Sequence, residues 1–110
     1  MEARELGRRA RLGRKLDFLL GLATGRTHNV LRSQSIAGAF NSIGIYDSPA
    51  MRQYLTEHLN RVLQDQANLV RQVRGADIRE SLLMGPAGGV KLESIWLADD
   101  LISVIVKKGH

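Results

Sequence analysis

Cysteine is absent from the 110 residues, which excludes a disulfide framework, a thiolate nucleophile and thiolate metal ligands. Aromatic residues are scarce, 5% against 44% hydrophobic residues overall, so the core must be aliphatic. No apolar run approaches the ~20 residues a membrane helix needs, and no membrane anchor is expected. The opening Met1-Glu2-Ala3-Arg4-Glu5-Leu6-Gly7-Arg8-Arg9 lacks the apolar segment of a signal peptide, and Met1 is compatible with a piece cut from a larger chain. No residue pattern points to a cofactor or a metal, and none is expected. A chain of this length makes one domain with a real but modest core.

Positive charge, by contrast, is plentiful, and it is unevenly placed. The net charge is +5. Up to Arg32 there are eight cations, Arg4, Arg8, Arg9, Arg11, Arg14, Lys15, Arg26 and Arg32, against Glu2, Glu5 and Asp17, which accounts for the whole excess. Basic charge gathered at one end suits a polyanion such as nucleic acid. A solvated arm or linker is the alternative for Arg4 to Lys15. Residues 1–14 are therefore read as a basic arm or linker, and 15–110 as a single domain.

Helical signals fill the first two thirds of the chain. Glu2 to Leu22 is charged at first and apolar at Leu16, Phe18, Leu19, Leu20 and Leu22, with Gly7 and Gly13 each costing ~1 kcal/mol relative to Ala. A second helix is expected from Asn29 to Ser42, capped by Thr27 or His28 and closed by Gly44. His28, Arg32 and Ser35 stand along one side of it. An imidazole and a guanidinium at a helix N-terminus make a plausible phosphate site, and a capping His with a solvent-facing Arg is the plainer alternative. The third helix starts at Asp47-Ser48-Pro49, a capping side chain followed by proline at the first helical position. Met51, Leu55, Leu59 and Val62 repeat there at helical spacing. His58 sits beside that stripe and reads as a partly buried structural residue.

From Ile78 to Lys108 the pattern changes to apolar and β-branched runs, broken by Gly85-Pro86-Ala87-Gly88-Gly89 and by Asp99-Asp100. That is a three-stranded antiparallel meander. The fold class is therefore α+β, with N-terminal helices packed on one face of a C-terminal antiparallel meander. If Asp99-Asp100 forms a two-residue loop, Ala98 pairs with Leu101. Ile95, Leu97, Ile102, Val104 and Val106 then face the helices, while Leu92, Ser94, Trp96, Ser103 and Lys107 occupy the open face. A Trp among hydroxyls and a Lys can hold single-stranded nucleic acid, ring for base and cation for phosphate. A slip of one residue would invert the two faces, leaving Trp96 in the core with its N–H bonded.

The cluster Arg26-Thr27-His28 opening a helix, the amphipathic helix after Asp47-Ser48-Pro49, and Ser94-Ile95-Trp96 in a central strand together resemble the nuclease domain of colicin D. More broadly, the chain from Lys15 to Lys108 resembles the C-terminal toxin domains of contact-dependent inhibition exoproteins. Lys15-Leu16-Asp17-Phe18-Leu19-Leu20-Gly21, the run from His28-Asn29 to Arg32-Ser33, and Arg79-Glu80-Ser81-Leu82-Leu83-Met84-Gly85-Pro86 are similar to segments at the ends of filamentous-haemagglutinin-type proteins. The resemblance implies the barnase–EndoU–colicin–RelE fold, whose sheet has a further strand; only Val70 to Gly75 is available for it. It also implies metal-independent ribonuclease activity on tRNA, secretion as part of a larger exoprotein, and action in the cytoplasm of a target bacterium. A cognate, acidic immunity protein would be the inhibitory partner.

By position His28 matches the family's catalytic histidine, Arg26 one of the basic residues before it, and Ser94 and Trp96 its Ser-x-Trp pair. Cutting RNA without a metal needs a base for the ribose 2′-hydroxyl, an acid for the leaving 5′-oxygen, and cations near the phosphorus. His28 is the natural acid or base. Arg32, Arg79 and Lys91 are candidates to stabilise the phosphate, Ser94 to donate a hydrogen bond to it, and Glu80 or Glu93 to be the second acid–base group or to orient His28. Arg26, Trp96, Ser103 and Lys107 are candidates for binding substrate. Strand alternation keeps Lys91 off the face of Ser94. A non-catalytic nucleic-acid-binding module, or a domain that docks a protein partner on its open sheet face, would use many of the same residues.

Overall fold

The computed structural model describes residues 3–107. Three helices come first: α1 (Ala3–Leu19), α2 (Thr27–Ser42) and α3 (Pro49–Gln64). A 3-10 turn at Gln66–Asn68 leads into four strands, β1 (Leu69–Val73), β2 (Ala76–Gly85), β3 (Gly88–Leu97) and β4 (Asp100–Lys107). The strands pair in chain order, every pair antiparallel. The helices precede the sheet and pack on it, an α+β meander. Its fourth strand is the short edge strand β1, in the region from Val70 available for the further strand that the resemblance implies. Among the described residues no helix is long and apolar enough to cross a membrane.

Local chemistry explains the helix starts. Ser48 accepts a hydrogen bond from the Met51 amide at 3.1 Å, with proline opening α3, so an orphan N–H of the first turn is satisfied. At α2 the capping position belongs to Arg26, in extended conformation and without a side-chain cap bond. Neither Thr27 nor His28 caps the helix, and both lie within its first turn, exposed. Leu12, Leu16 and Leu19 of α1, Ile36 and Phe40 of α2, and Leu55, Leu59 and Val62 of α3 are buried. Each set repeats at three- and four-residue spacing, which puts it on one helix face.

On β3 the sheet presents to the helices the face opposite to the one expected, whereas on β4 Val104 and Val106 face the helices, and Ser103 and Lys107 the open side, as expected. Leu83, Val90, Leu92, Trp96, Leu101 and Val104 are all buried in the same core as the helix residues. Ile95 and Leu97 point the other way, Leu97 with more than half its surface exposed. The cause lies in the hairpin. Its loop is Ala98-Asp99, with Leu97 opposite Asp100, and Ala98 takes the left-handed conformation at φ 54°. A bulge follows, because Trp96 pairs with Leu101 but Ile95 with Ser103, which leaves Ile102 unpaired and exposed. The bulge returns Val104 and Val106 to the helix side together with Leu101. Burying Trp96, the largest apolar side chain, decides this register over its mirror.

Hydrogen bonds tie the layers together. Arg79 on β2 is buried, and its guanidinium donates to the carbonyls of Val62 and Asp65 at 3.3 and 3.1 Å, satisfying backbone acceptors at the end of α3. At the β2–β3 turn, the Ala87 amide donates to the Ile43 carbonyl at 2.9 Å. Gly85 lies against that same carbonyl, where any Cβ would collide with it.

Candidate functional site

With the helices on one face, the other face of the sheet is open, and it is where the charged side chains converge. Glu93 sits in the middle of β3, opposite Glu80 of β2 and Ile105 of β4. Only 2% of its surface is exposed, because neighbouring cations lie over it. Lys107 Nζ is 2.8 Å from its carboxylate, and both terminal nitrogens of Arg71 reach it at 3.3 and 3.4 Å. The Lys107 hydrogen bond, with help from Arg71, holds the Glu93 carboxyl below its usual range despite burial. Glu93 is therefore ionised at neutral pH.

Lys91 stands directly opposite Lys107, an arrangement that is repulsive unless each finds a carboxylate. Each does: Lys107 pairs with Glu93, and Lys91 with Glu80 at 3.2 Å. At the β4 edge Arg32 of α2 donates to the Ser103 hydroxyl at 2.9 Å. Ser103 is opposite Ile95, so it belongs to the Glu93 face and is Glu93's diagonal neighbour. The Arg32 guanidinium also lies 5.9 Å from the centre of the Phe18 ring, and Lys15 lies 5.7 Å from the same ring. Partial burial, and then the charge of Arg32, lower the pKa of Lys15.

The residues singled out in the sequence thus divide in two. Glu80, Lys91, Ser103 and Lys107 share the open face, and Arg32 reaches its edge. His28 stands one helical turn before Arg32, exposed, beside exposed Arg26. Arg79, Ser94 and Trp96 lie on the helix side, all buried. There the Trp96 indole donates to Ser94 Oγ at 2.8 Å. Arg71 was not anticipated: it sits in a segment with no strong strand pattern, and only the pairing of β1 with β2 carries it to Glu93. Among the described residues no three His, Cys, Asp or Glu cluster as metal ligands would.

The arrangement has a definite chemical capability. An ionised carboxylate can accept a proton, and long, half-exposed cations beside it can swing onto an anion while uncovering the carboxylate. Among solved structures, the chain is similar to a chain of a contact-dependent growth inhibition toxin–immunity protein complex from Klebsiella pneumoniae 342. The two are 30% identical with a TM-score of 0.74, over 86% of this chain and 95% of that one. No family model matches the sequence, and no curated protein matches it either.

Proposed function

The chain belongs to the proteins of contact-dependent growth inhibition toxin–immunity complexes, and from that membership we propose that it is the toxin of such a pair, a ribonuclease that cuts tRNA. Charge favours the toxin over the immunity role. The net charge of +5 draws RNA to the protein, whereas an immunity protein covering a basic site would have to be acidic. The likeness of Arg26-Thr27-His28 and the strand segments to colicin D-like nuclease domains, and with it the barnase–EndoU–colicin–RelE fold, supports a nuclease of tRNA.

The observation that carries the reading is Glu93 held ionised between Lys107 and Arg71 on an uncovered sheet face. Glu93 takes the proton of a ribose 2′-hydroxyl, whose oxygen then attacks the adjacent phosphorus. The bond to the 5′-oxygen breaks, and His28 gives that oxygen a proton. The products are a 2′,3′-cyclic phosphate and a free 5′-hydroxyl, and the step is metal-independent. Lys107, Arg71 and Lys91 move onto the phosphate as its charge grows. Arg32 and Ser103 hold the neighbouring phosphate, and Arg26 extends the path along α2. Arg79, Ser94 and Trp96 support this face from beneath.

On this reading the chain is the C-terminal part of a secreted exoprotein, acts in the cytoplasm of a target bacterium, and is neutralised by an acidic cognate immunity protein. The test is brief expression without that partner, with total RNA then separated on a denaturing gel. Growth arrest with tRNA fragments ending in cyclic phosphate is expected, and Glu93→Gln should prevent both. Intact RNA across a broad panel of substrates would overturn the proposal.

A further inference from the structure

A cavity of about 360 Å³ opens between α1 and the β3–β4 hairpin, on the helix side of the sheet and away from Glu93. Its size falls in the range of small-ligand pockets, about 300–1,000 Å³. Phe18, Trp96 and Leu101 are among its walls, Arg14 and Lys15 stand at its α1 side, and Asp99 comes from the hairpin loop. Arg11 pairs with Asp100, and the Arg8 guanidinium is held in place by the neutral Asn60 amide, which leaves its charge uncompensated. Arg14, Lys15 and Asp99 have no ion-pair partner among the described residues, so these two cations and one carboxylate are left to meet a ligand across apolar walls.

We propose that this cavity receives an unstacked guanine of the RNA substrate, its base between the apolar walls, its Watson–Crick edge on Asp99, and its phosphate on Lys15 and Arg14. The inference rests on the reading of the protein as a ribonuclease and names the base that directs it. Apolar, cation-rimmed sites suit splayed-out bases. The carboxylate chooses among them. It accepts two parallel N–H bonds, and guanine alone of the four bases offers two adjacent donors on that edge, N1–H and the 2-amino group. Adenine, cytosine and uracil each offer one, so they forfeit a charge-assisted bond. Lys15 also joins the cavity to the Glu93 face, through Phe18, Arg32 and Ser103. The proposal places one strand of RNA around this edge, with a base in the cavity and a scissile phosphate at Glu93.

Trp96 is the only Trp in the chain and lines the cavity, so its fluorescence reports occupancy without any cleavage. The full chain is titrated with GMP, AMP, CMP, UMP and inorganic phosphate. Saturable quenching is expected with GMP, about tenfold tighter than with the other nucleotides, as loss of one charged hydrogen bond implies. Asp99→Asn, a turn-compatible change, should erase that preference while keeping weak binding of all four. Lys15→Ala and Arg14→Ala should weaken all four alike, with the thermal midpoint of each variant checking that it is folded. An equal response to the four nucleotides, an equal response to phosphate alone, or no response up to millimolar concentrations would overturn the assignment. Guanine binding by a protein that cleaves no RNA would leave the cavity standing and remove the ribonuclease reading. Cleavage of RNA without guanine binding would do the reverse.

Discussion

The indole nitrogen of Trp96 donates to the hydroxyl of Ser94 at 2.8 Å, two residues away along one strand, and both side chains are buried beneath the helices. Side chains two apart share a sheet face, so this bond marks the face that packs. It also satisfies the one polar atom of the largest core side chain. Ser94→Ala is expected to strand that N–H without a partner and to cost about 1–3 kcal/mol, read as a lower thermal midpoint. Cleavage per folded molecule should stay near that of the unaltered protein. Lost cleavage at unchanged stability would instead move Ser94 into the site.

Glu93 is expected to behave differently. Its carboxylate is the proposed base, and Glu93→Gln should lower cleavage by about 10²–10⁴-fold while RNA binding persists, since the flanking cations remain. The pH dependence follows from Lys107, first, and Arg71 holding this carboxyl below 4.5. Protonation therefore sets in only below the ordinary carboxylate value, and the acid limb of the cleavage profile that depends on Glu93 should lie there. The stability Glu93 contributes has the same sign, complete above 4.5 and lost as pH falls through the lowered value. A rate profile with its acid limb near pH 6 would assign the base to another group.

What the sequence discloses is what short-range chemistry decides. Asp47-Ser48-Pro49 marks the start of α3, and the structure puts the cap on Ser48. The helix stripes and the meander follow from periodicity alone. The direction each strand face points does not, because alternation is blind to which face is buried. Placing the loop at Ala98-Asp99 rather than Asp99-Asp100, together with one unpaired Ile102, is enough to exchange the faces around Trp96. Arg71 was hidden for a related reason: a five-residue edge strand has too little pattern of its own, and only its pairing places a cation on Glu93. Lys15 and Phe18 meet Arg32 through helix packing, a relationship no spacing within the chain encodes.

His28 tests the acid half of the mechanism. It is exposed in the first turn of α2, one turn from Arg32, so the fold owes it little. His28→Ala should leave the unfolding free energy within about 0.5 kcal/mol of the parent, as for other surface positions. Cleavage should fall by about 10²-fold or more, with the largest effect on the step that releases the 5′-hydroxyl. Single-turnover rates on a tRNA substrate measure this directly. Undiminished rates would take the acid role from His28 and leave the base assignment to stand by itself.

His58 is the opposite kind of histidine, and its consequence is for stability rather than chemistry. It lies in α3 against β2, 8% exposed, with Nε2 and the Ser81 hydroxyl 2.9 Å apart. Burial, and then the nearby charge of Arg61, push its pKa below the usual 6.5. The folded protein thus keeps the ring neutral at a pH where the unfolded chain would already take up a proton. The stability this provides is complete above about 6.5 and is lost as pH falls through the lowered folded value. Urea denaturation at pH 7.5 and at pH 5 should show a drop over a window that lies above the one set by Glu93. His58→Gln keeps a side chain that can bond Ser81 but does not titrate, so it should flatten that drop while leaving the fall below pH 4.5 in place. An unchanged slope between pH 7.5 and 5 in that variant would assign the loss of stability to other groups.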